Sequence, residues 1–594
     1  MRGGHWALEA EGGKAYDPKV IRKLLSFVIP YKWYFVGALS FMIVNIPLNL
    51  IGPYLMKIAI DDGIAKRNML VLALSSGAYL LSMLLGLLSS FGQGYLLAKG
   101  GQSVLFEIRG RLFSHIQRLS LGFFSKQETG QLISRLVNDV GALHDFLNFA
   151  VISIINDLLT LIGIIAIMLY MNLELSLISF AFLPLLIGLV LSFRSKMRRA
   201  YREVRRKIGK VTAGIQEGVA GVRVTQSFAK ERENLERFNR TNLENLQANM
   251  QAAVVWSSFF PLVDIVGALA TAAIIWYGGI QVVHGKMTLG VIVAFLGYVQ
   301  RFFWPIMDLT RIYNMMQSAT AASERIFEVM DTKPEIEDAE DAIELTDVKG
   351  NIRLKDVWFR YNEEDGFVIK GISNEIREGE VVALVGPTGC GKTTLVNLIS
   401  RMYEPQIGAI YLDGVDIRRI KQSSLRRQMV VVPQDPFIFS GTIRENIRYG
   451  KLEAKDEEVE EAARIVRAHE FIAELPNGYD TEVGERGARL SGGQKQLISF
   501  ARALLANPRI LILDEATSNI DIYTEMLIQE ALAELFRGRT VIVIAHRLST
   551  VRSADRILVM EDGRIVEEGS HKELLEMGGV YKRLYEAQFA TLSP

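Results

Sequence analysis

At 594 residues the chain is too long for one hydrophobic core, so two or more domains are expected. Apolar residues make up 49% of it and charged residues 22%, a mixture that fits a membrane part joined to a water-soluble part. The net charge of +1 gives no global attraction for nucleic acid, which is not expected as a partner, and the single cysteine, Cys390, excludes a disulfide framework within the chain.

The first segment, "MRGGHWALEAEGGKAYDPK", carries acids and no apolar run, so it does not read as a cleavable signal. "KVIRKLLSFVIPYKWYF" then spaces its apolar residues helically between Lys19, Arg22, Lys23 and Lys32, which predicts an interfacial helix leading into the membrane. Six windows are long and apolar enough to span a bilayer, at roughly 34–58, 70–97, 146–170, 173–193, 254–283 and 287–316. Spans one and two are joined by "DDGIAKRN", three and four by "MNLELS", and five and six near "HGKM"; the other two connections are long and helix-forming. The segment 194–240 is strongly basic, from Arg194 through Arg198, Arg202, Arg206 and Lys210 to Arg240, while 171–174 holds no basic residue. The excess of positive charge on one side places the long connections and both termini in the cytoplasm, and it accounts for the basic run without a nucleic acid.

Polar groups inside spans point to a transport path or to ties between helices. Asn45 and Asn49 lie on one face of span one with Pro47 between them, Asp264 lies in span five and Arg301 in span six. Aromatic and methionine faces such as "SFFPLV" and "RFFWPIMDL" suit apolar or amphipathic molecules, although helix packing accounts for most of these residues.

Residues 331–350 are acidic and contain a proline, and read as a linker between a membrane domain at 1–330 and a second domain at 351–594. There, apolar runs of strand length alternate with helical segments: "VVALVG", "MVVVPQ", "ILILDEA", "TVIVIAH" and "RILVMEDG". This is the pattern of an α/β domain with a buried, largely parallel sheet. The predicted fold is therefore an α-helical membrane domain of six spans with long cytoplasmic extensions, followed by an α/β P-loop domain.

"GPTGCGKT", Gly386 to Thr393, is a full P-loop pattern between a strand and a helix. In such a loop, here Gly386, Pro387, Thr388, Gly389, Cys390 and Gly391, the backbone N–H groups other than at Pro387, which has none, wrap phosphates. Lys392 is placed to neutralise β- and γ-phosphate charge, and Thr393, followed by Thr394, to bring a hydroxyl to Mg²⁺. Cys390 reads either as a small residue tolerated in the loop or as an accessible thiol that would report on the site. "ILILDE" ends in two adjacent acids: Asp514 is assigned to Mg²⁺ and Glu515 to the general base that orients or deprotonates the attacking water. His546 ends another apolar strand, where it is placed to sense a γ-phosphate; Gln434 ends a third and suits a water or Mg²⁺ contact. Tyr361, in "VWFRYN" before the sheet begins, is a candidate for stacking on adenine. The glycines of "LSGGQKQ" open a helix and form a second anion cradle.

These residues, in this order, resemble the ATP-binding cassette family over the whole chain. Six spans fused ahead of one cassette resemble bacterial half-transporters that export drugs or lipids, with a helical subdomain in the cassette. "TEVGERG", Thr481 to Gly487, resembles the exporters' stretch before the signature; "FFSKQETGQLISRLVNDV" and "IQEGVAGVRVTQSFAKE" resemble connections whose short coupling helices rest on the cassettes. The resemblance implies that two chains pair head to tail, so that Ser491, Gly492, Gly493 and Gln494 of one close over ATP held by the P-loop of the other. It also implies that Asp521, in "SNID" rather than the commoner "SALD", lies at that interface. ATP and Mg²⁺ are the implied cofactors, membrane lipid and a small hydrophobic or amphipathic substrate the implied partners. A homodimer is expected, and the intact half of a heterodimer or a peptide exporter is the alternative. An ATP-gated channel or regulator shares this architecture, but a regulator tolerates loss of hydrolysis and Glu515 is intact.

Overall fold

A computed structural model describes residues 18–514, 522–545 and 548–588. They form two compact units, one from the described parts of Met1–Gln117 with Thr129–Thr332, the other from Arg118–Glu128 with the described parts of Lys333–Pro594.

The first unit is helical. Its long helices are Lys32–Ile58, Met69–Ile116, Val151–Met171, Leu183–Ala220, Glu231–Val283 and Leu289–Asp331. Among the described residues, five helical stretches are long and apolar enough to cross a membrane, and the apolar stretch Leu289–Phe302 falls in the window expected for the sixth span. Helices of 48 and 53 residues run about 70–80 Å, more than twice the roughly 30 Å of hydrocarbon in a bilayer.

The helix Met69–Ile116 shows how these elements pack. Ser75, Ser82, Gly86 and Ser89 are buried, while Leu80, Leu84, Leu88 and Phe91 are exposed. This inverts the pattern of a water-soluble helix, and it is what lipid demands, because small residues let backbones approach where apolar burial drives nothing. A Cβ at Gly92 would lie 2.8 Å from the Phe41 ring, and Ser89 Oγ donates to Phe41 O at 2.8 Å. The helix Pro18–Val28, read as interfacial, buries Leu24 and Phe27, with the Phe27 ring 6.3 Å from Phe327 and the Arg111 guanidinium 5.1 Å from Phe27.

Among the described residues the second unit holds ten strands: β1 (Ile352–Phe359), β2 (Ile369–Ile376), β3 (Val381–Val385), β4 (Ile407–Leu412), β5 (Val415–Asp416), β6 (Met429–Val432), β7 (Ile510–Asp514), β8 (Thr540–Ile544), β9 (Arg556–Glu561) and β10 (Arg564–Gly569). One sheet has the order β10-β9-β3-β8-β7-β6 and is parallel except for β10. Its parallel strands are the five apolar runs named above. The other, β2-β1-β4-β5, is antiparallel. Tyr361 therefore follows a strand rather than preceding the sheet. β1 escapes a search for apolar runs because Arg353 and Lys355 alternate with its buried Ile352, Leu354, Val357 and Phe359.

Helices Ile443–Arg448, Asp456–Ile465 and Gly492–Ala506 pack around Ile443, Ile447, Val459 and Leu497 as the helical part of this unit. The segment read as a linker lies on the same unit. Ile343 bridges to Ile420, and Arg401, only 2% exposed, donates to Ile420 O at 2.6 Å and Glu337 O at 3.1 Å.

Candidate nucleotide site

The phosphate loop begins where β3 ends. A Cβ at Gly386 would lie 2.2 Å from Met560 O and 2.8 Å from Cys390 Sγ, so no larger residue fits there. Gly391 has φ +106°, left-handed backbone that favours glycine, and caps the helix Lys392–Ile399 with no side-chain bond to its first N–H groups. Those donors are the orphans that a helix start offers to an anion. Pro387, Thr388, Gly389 and Thr393 are exposed around the loop, whereas Lys392 and Thr394 are buried. Lys392 Nζ donates to Gly386 O at 2.7 Å and Pro387 O at 2.9 Å, which holds the ammonium against the loop.

Cys390 differs from expectation. Its side chain is 5% exposed and belongs to the apolar core that includes Val382, Leu395 and Met560. Its Sγ lies 3.8 Å from Lys392 Nζ and close against Gly386, where a Cβ would stand 2.8 Å from it.

Strand register brings the other candidates to one edge. Leu384 of β3 pairs with Ile544 of β8, Ile544 pairs with Asp514 of β7, and Leu513 pairs with Val432 of β6. The carboxyl ends of four parallel strands are thus level with the start of the P-loop, the edge at which open α/β sheets bind ligands. Asp514 is half-buried there, and Gln434 is exposed two residues beyond β6. Glu515, Asp521 and His546 lie outside the described residues. The Tyr361 hydroxyl is 2.9 Å from Thr394 Oγ1 in the P-loop helix, and its ring meets those of Phe359 and Tyr403 edge-on at 4.9 and 5.3 Å.

Ser491 caps the helix Gly492–Ala506. Its Oγ accepts from Gln494 N at 3.2 Å, and Gln494 Oε1 accepts from Ser491 N at 3.0 Å, so the two signature side chains fix each other in a capping box. Ser491 and Gly492 are exposed, with open space where a Cβ at Gly492 would go; Gly493 is buried.

A cleft of about 240 Å³ that sequence reasoning missed opens beside Gln434, lined by Pro433, Phe437, Phe439, Tyr449 and Arg502 among others. Arg502 donates to Phe437 O at 3.1 Å and Asn446 O at 2.9 Å, and burial pulls its guanidinium below the ordinary value. The signal available was the aromatic pair in "PFIF" just after Gln434.

In the helical unit, three of the four polar residues named from the sequence meet. Asn45 donates to Ser90 Oγ at 3.0 Å, Asn49 donates to Asn45 Oδ1 at 2.8 Å, and Arg301 donates to Asn49 O. Asp264 is not among them; it is exposed on its helix, beside the buried Val263. Sequence reasoning passed over Asp157, Asp308 and Arg311. Arg311 donates to both carboxylate oxygens of Asp308, at 2.7 and 3.1 Å, and the buried Oδ2 of Asp157 has no hydrogen-bond partner among the described residues. An acid inside the apolar window 146–170 was the signal for Asp157.

A family model described as the ABC transporter transmembrane region matches residues 35–306, and one described as ABC transporter matches residues 369–518. The chain is 43% identical over 576 residues to an uncharacterized ABC transporter ATP-binding protein, YknV, of Bacillus subtilis (strain 168), covering 96% of this chain and 94% of that one. It is 40% identical to the ATP-dependent lipid A-core flippase of Syntrophus aciditrophicus (strain SB), covering 98% and 96%. Among solved structures, a bacterial Atm1-family ABC exporter with ATP bound matches with a TM-score of 0.77 at 29% identity, over 97% of this chain and 100% of that one.

Proposed function

The chain belongs to the ABC transporter family, a multi-pass membrane protein that couples ATP hydrolysis to transport, and from that premise we propose that two copies pair and export an amphipathic lipid or drug across the cytoplasmic membrane. The observation that carries this reading is the phosphate cradle at the common edge of β3, β6, β7 and β8, built in the same chain as the membrane-length apolar helices. The family resemblance adds the pairing, and the flippase relative adds lipid as a substrate class.

In this reading Tyr361 stacks on the adenine, the loop Gly386–Gly391 with Lys392 and the Thr394-bearing helix takes the phosphates, and Ser491 to Gln494 of the second copy close over the γ-phosphate. The donors fit Mg²⁺: the Thr393 hydroxyl, Gln434 and Asp514 would hold it, and when bound it neutralises phosphate charge. Glu515 takes a proton from water as the water oxygen bonds to the γ-phosphorus and the bond to the β–γ bridging oxygen breaks. His546 contacts the γ-phosphate, and Asp521 lies where the cassettes meet. Closure of two cassettes on ATP moves the coupling segments and turns the spans from inward- to outward-facing; loss of the bridging phosphate resets them. The cassettes and both termini lie in the cytoplasm.

The test pairs distinguishable chains carrying Lys392→Ala and Ser491→Arg. With both changes on one chain beside a wild-type partner, shared sites leave no site intact, and no nucleotide is trapped by a γ-phosphate mimic. With one change on each chain, one site stays whole and trapping persists. The reverse pattern refutes the head-to-tail reading. ATPase stimulation in liposomes by a panel of lipids, drugs and peptides then sorts the substrate class.

A further inference from the structure

The helix Leu183–Ala220 leaves the apolar window of span four at Phe193 and continues as a basic shaft. Its two sides differ. On one, Phe193, Met197, Ala200 and Val204 are half-buried and Val211 is buried. That side packs on the helix Glu231–Val283, with the Phe193 ring 5.4 Å from Phe259 and Lys207 paired with Glu244 at 2.7 Å. The other side carries Arg198, Arg202 and Arg205, at i, i+4 and i+7 on one face, with Arg199 at its edge. All four are exposed, and among the described residues none has a carboxylate, hydrogen-bond or ring partner. Elsewhere in the same connection charge is answered: Arg206 pairs with Glu203 at 2.6 Å, Arg232 with Glu236 at 3.4 Å and Arg237 with Glu217 at 3.7 Å.

The positive-inside rule accounts for basic residues beside a span, but not for their gathering on one unpaired face. Traced back into the span, that face carries Leu191 and Ile187, both exposed. A row that contacts lipid chains thus runs straight into the arginines. An aromatic cluster marks the level where hydrocarbon ends: Lys196 lies over the Phe193 ring at 5.3 Å, and Phe259 and the exposed Trp256 meet Phe260 at 5.6 and 5.0 Å. At 1.5 Å per residue, Arg198 and Arg199 stand about 8–9 Å beyond Phe193, within reach of headgroups that extend about 5–8 Å past the hydrocarbon. Arg202 and Arg205 stand about one Debye length farther out. A guanidinium presents a planar fork that matches phosphate oxygens.

We propose that Arg198 and Arg199, backed by Arg202 and Arg205, bind the phosphate groups of anionic phospholipids, which are held beside the transporter rather than carried through it. The proposal rests on the chain's being a membrane transporter whose aromatic cluster lies at the bilayer surface. A second copy of this chain is the rival occupant. The face begins where hydrocarbon ends and continues an exposed apolar row, which suits a lipid with its chains on Leu191 and its phosphate on Arg198.

The experiment puts the full-length protein, with Leu191→Trp as reporter, into phosphatidylcholine vesicles containing increasing dibrominated phosphatidylglycerol or, in parallel, dibrominated phosphatidylcholine. Bromine quenches indole on contact, and the reporter's share is the difference from the protein without that change. No nucleotide is added, so a protein without ATPase activity contradicts the exporter reading and leaves this measurement untouched. The anionic lipid is expected to half-quench the reporter at a mole fraction at least about fivefold lower than the neutral one, the effect of about one arginine at an anionic surface. Arg198→Gln with Arg199→Gln brings the two lipids within about twofold of each other, while Arg198→Lys with Arg199→Lys keeps most of the preference. Arg202→Gln with Arg205→Gln has the smaller effect, and Arg232→Gln with Arg237→Gln, which removes the same charge far from the bilayer, has none. Equal quenching by both lipids in the reporter protein, or equal losses in the near and remote pairs, overturns the proposal. No quenching by either lipid, with dimer cross-linking lost in Arg198→Gln/Arg199→Gln, overturns it in favour of the second copy.

Discussion

Pro53 and Arg301 form a pair whose energetics follow from one missing hydrogen. Pro53 lies inside the helix Lys32–Ile58 and has no N–H, so the carbonyl four residues earlier, Asn49 O, loses its helical partner. In hydrocarbon an orphan carbonyl is costly, because no water replaces the bond. Arg301, from the helix Leu289–Asp331, donates to that carbonyl. Nearby, Tyr298 donates to Leu50 O at 2.7 Å, and Gly297 leaves room for the proline ring, since a Cβ there would sit 3.2 Å from Pro53.

Arg301→Met keeps an apolar stem and removes the donor. A hydrogen bond to a charged donor contributes about 1.5–3 kcal/mol, and the change is expected to cost that much with Pro53 present. In a Pro53→Ala background the new amide at position 53 reclaims Asn49 O, so the same change costs about 1–2 kcal/mol less. Unfolding in mixed micelles titrated with SDS gives the four free energies of the cycle, in which lost packing and the solvation of the guanidinium cancel. Equal costs in the two backgrounds, within about 0.5 kcal/mol, would refute the account and leave Arg301 free to be read as lining the transport path.

Glu515→Gln is expected to bind ATP while turnover falls by at least about 10²-fold, as for loss of a general base; turnover near that of the unmodified protein at saturating ATP would remove Glu515 from the role. Cys390 is buried within the P-loop, so maleimide should label the native protein at least about tenfold more slowly than the same chain in denaturant. Equal rates would contradict the burial. Asp264→Asn should change export of a cationic dye more than it changes basal ATPase, and a parallel loss of both would mark Asp264 as structural.

What the sequence disclosed and what it hid divide along physical lines. Parallel strands buried on both faces read as continuous apolar runs, so β3, β6, β7, β8 and β9 were legible, as was the P-loop, whose glycines answer a local steric demand at Gly386. β1 and β2 were not, because one face of each carries charged or polar side chains and the pairing β1–β2 is set by partners rather than by local pattern. Arg301 was legible as a costly charge in an apolar window, yet its partner is a backbone carbonyl exposed by a proline on another helix. No scan of side-chain types finds an acceptor created by an absent N–H. The contact of Ser120 with Glu335 spans 215 positions and involves no apolar residue at either end. A charged residue in a span therefore deserves to be read against the prolines of every other span before it is assigned to a substrate. By that rule Arg301 belongs first to Pro53, whose missing N–H leaves Asn49 O for it.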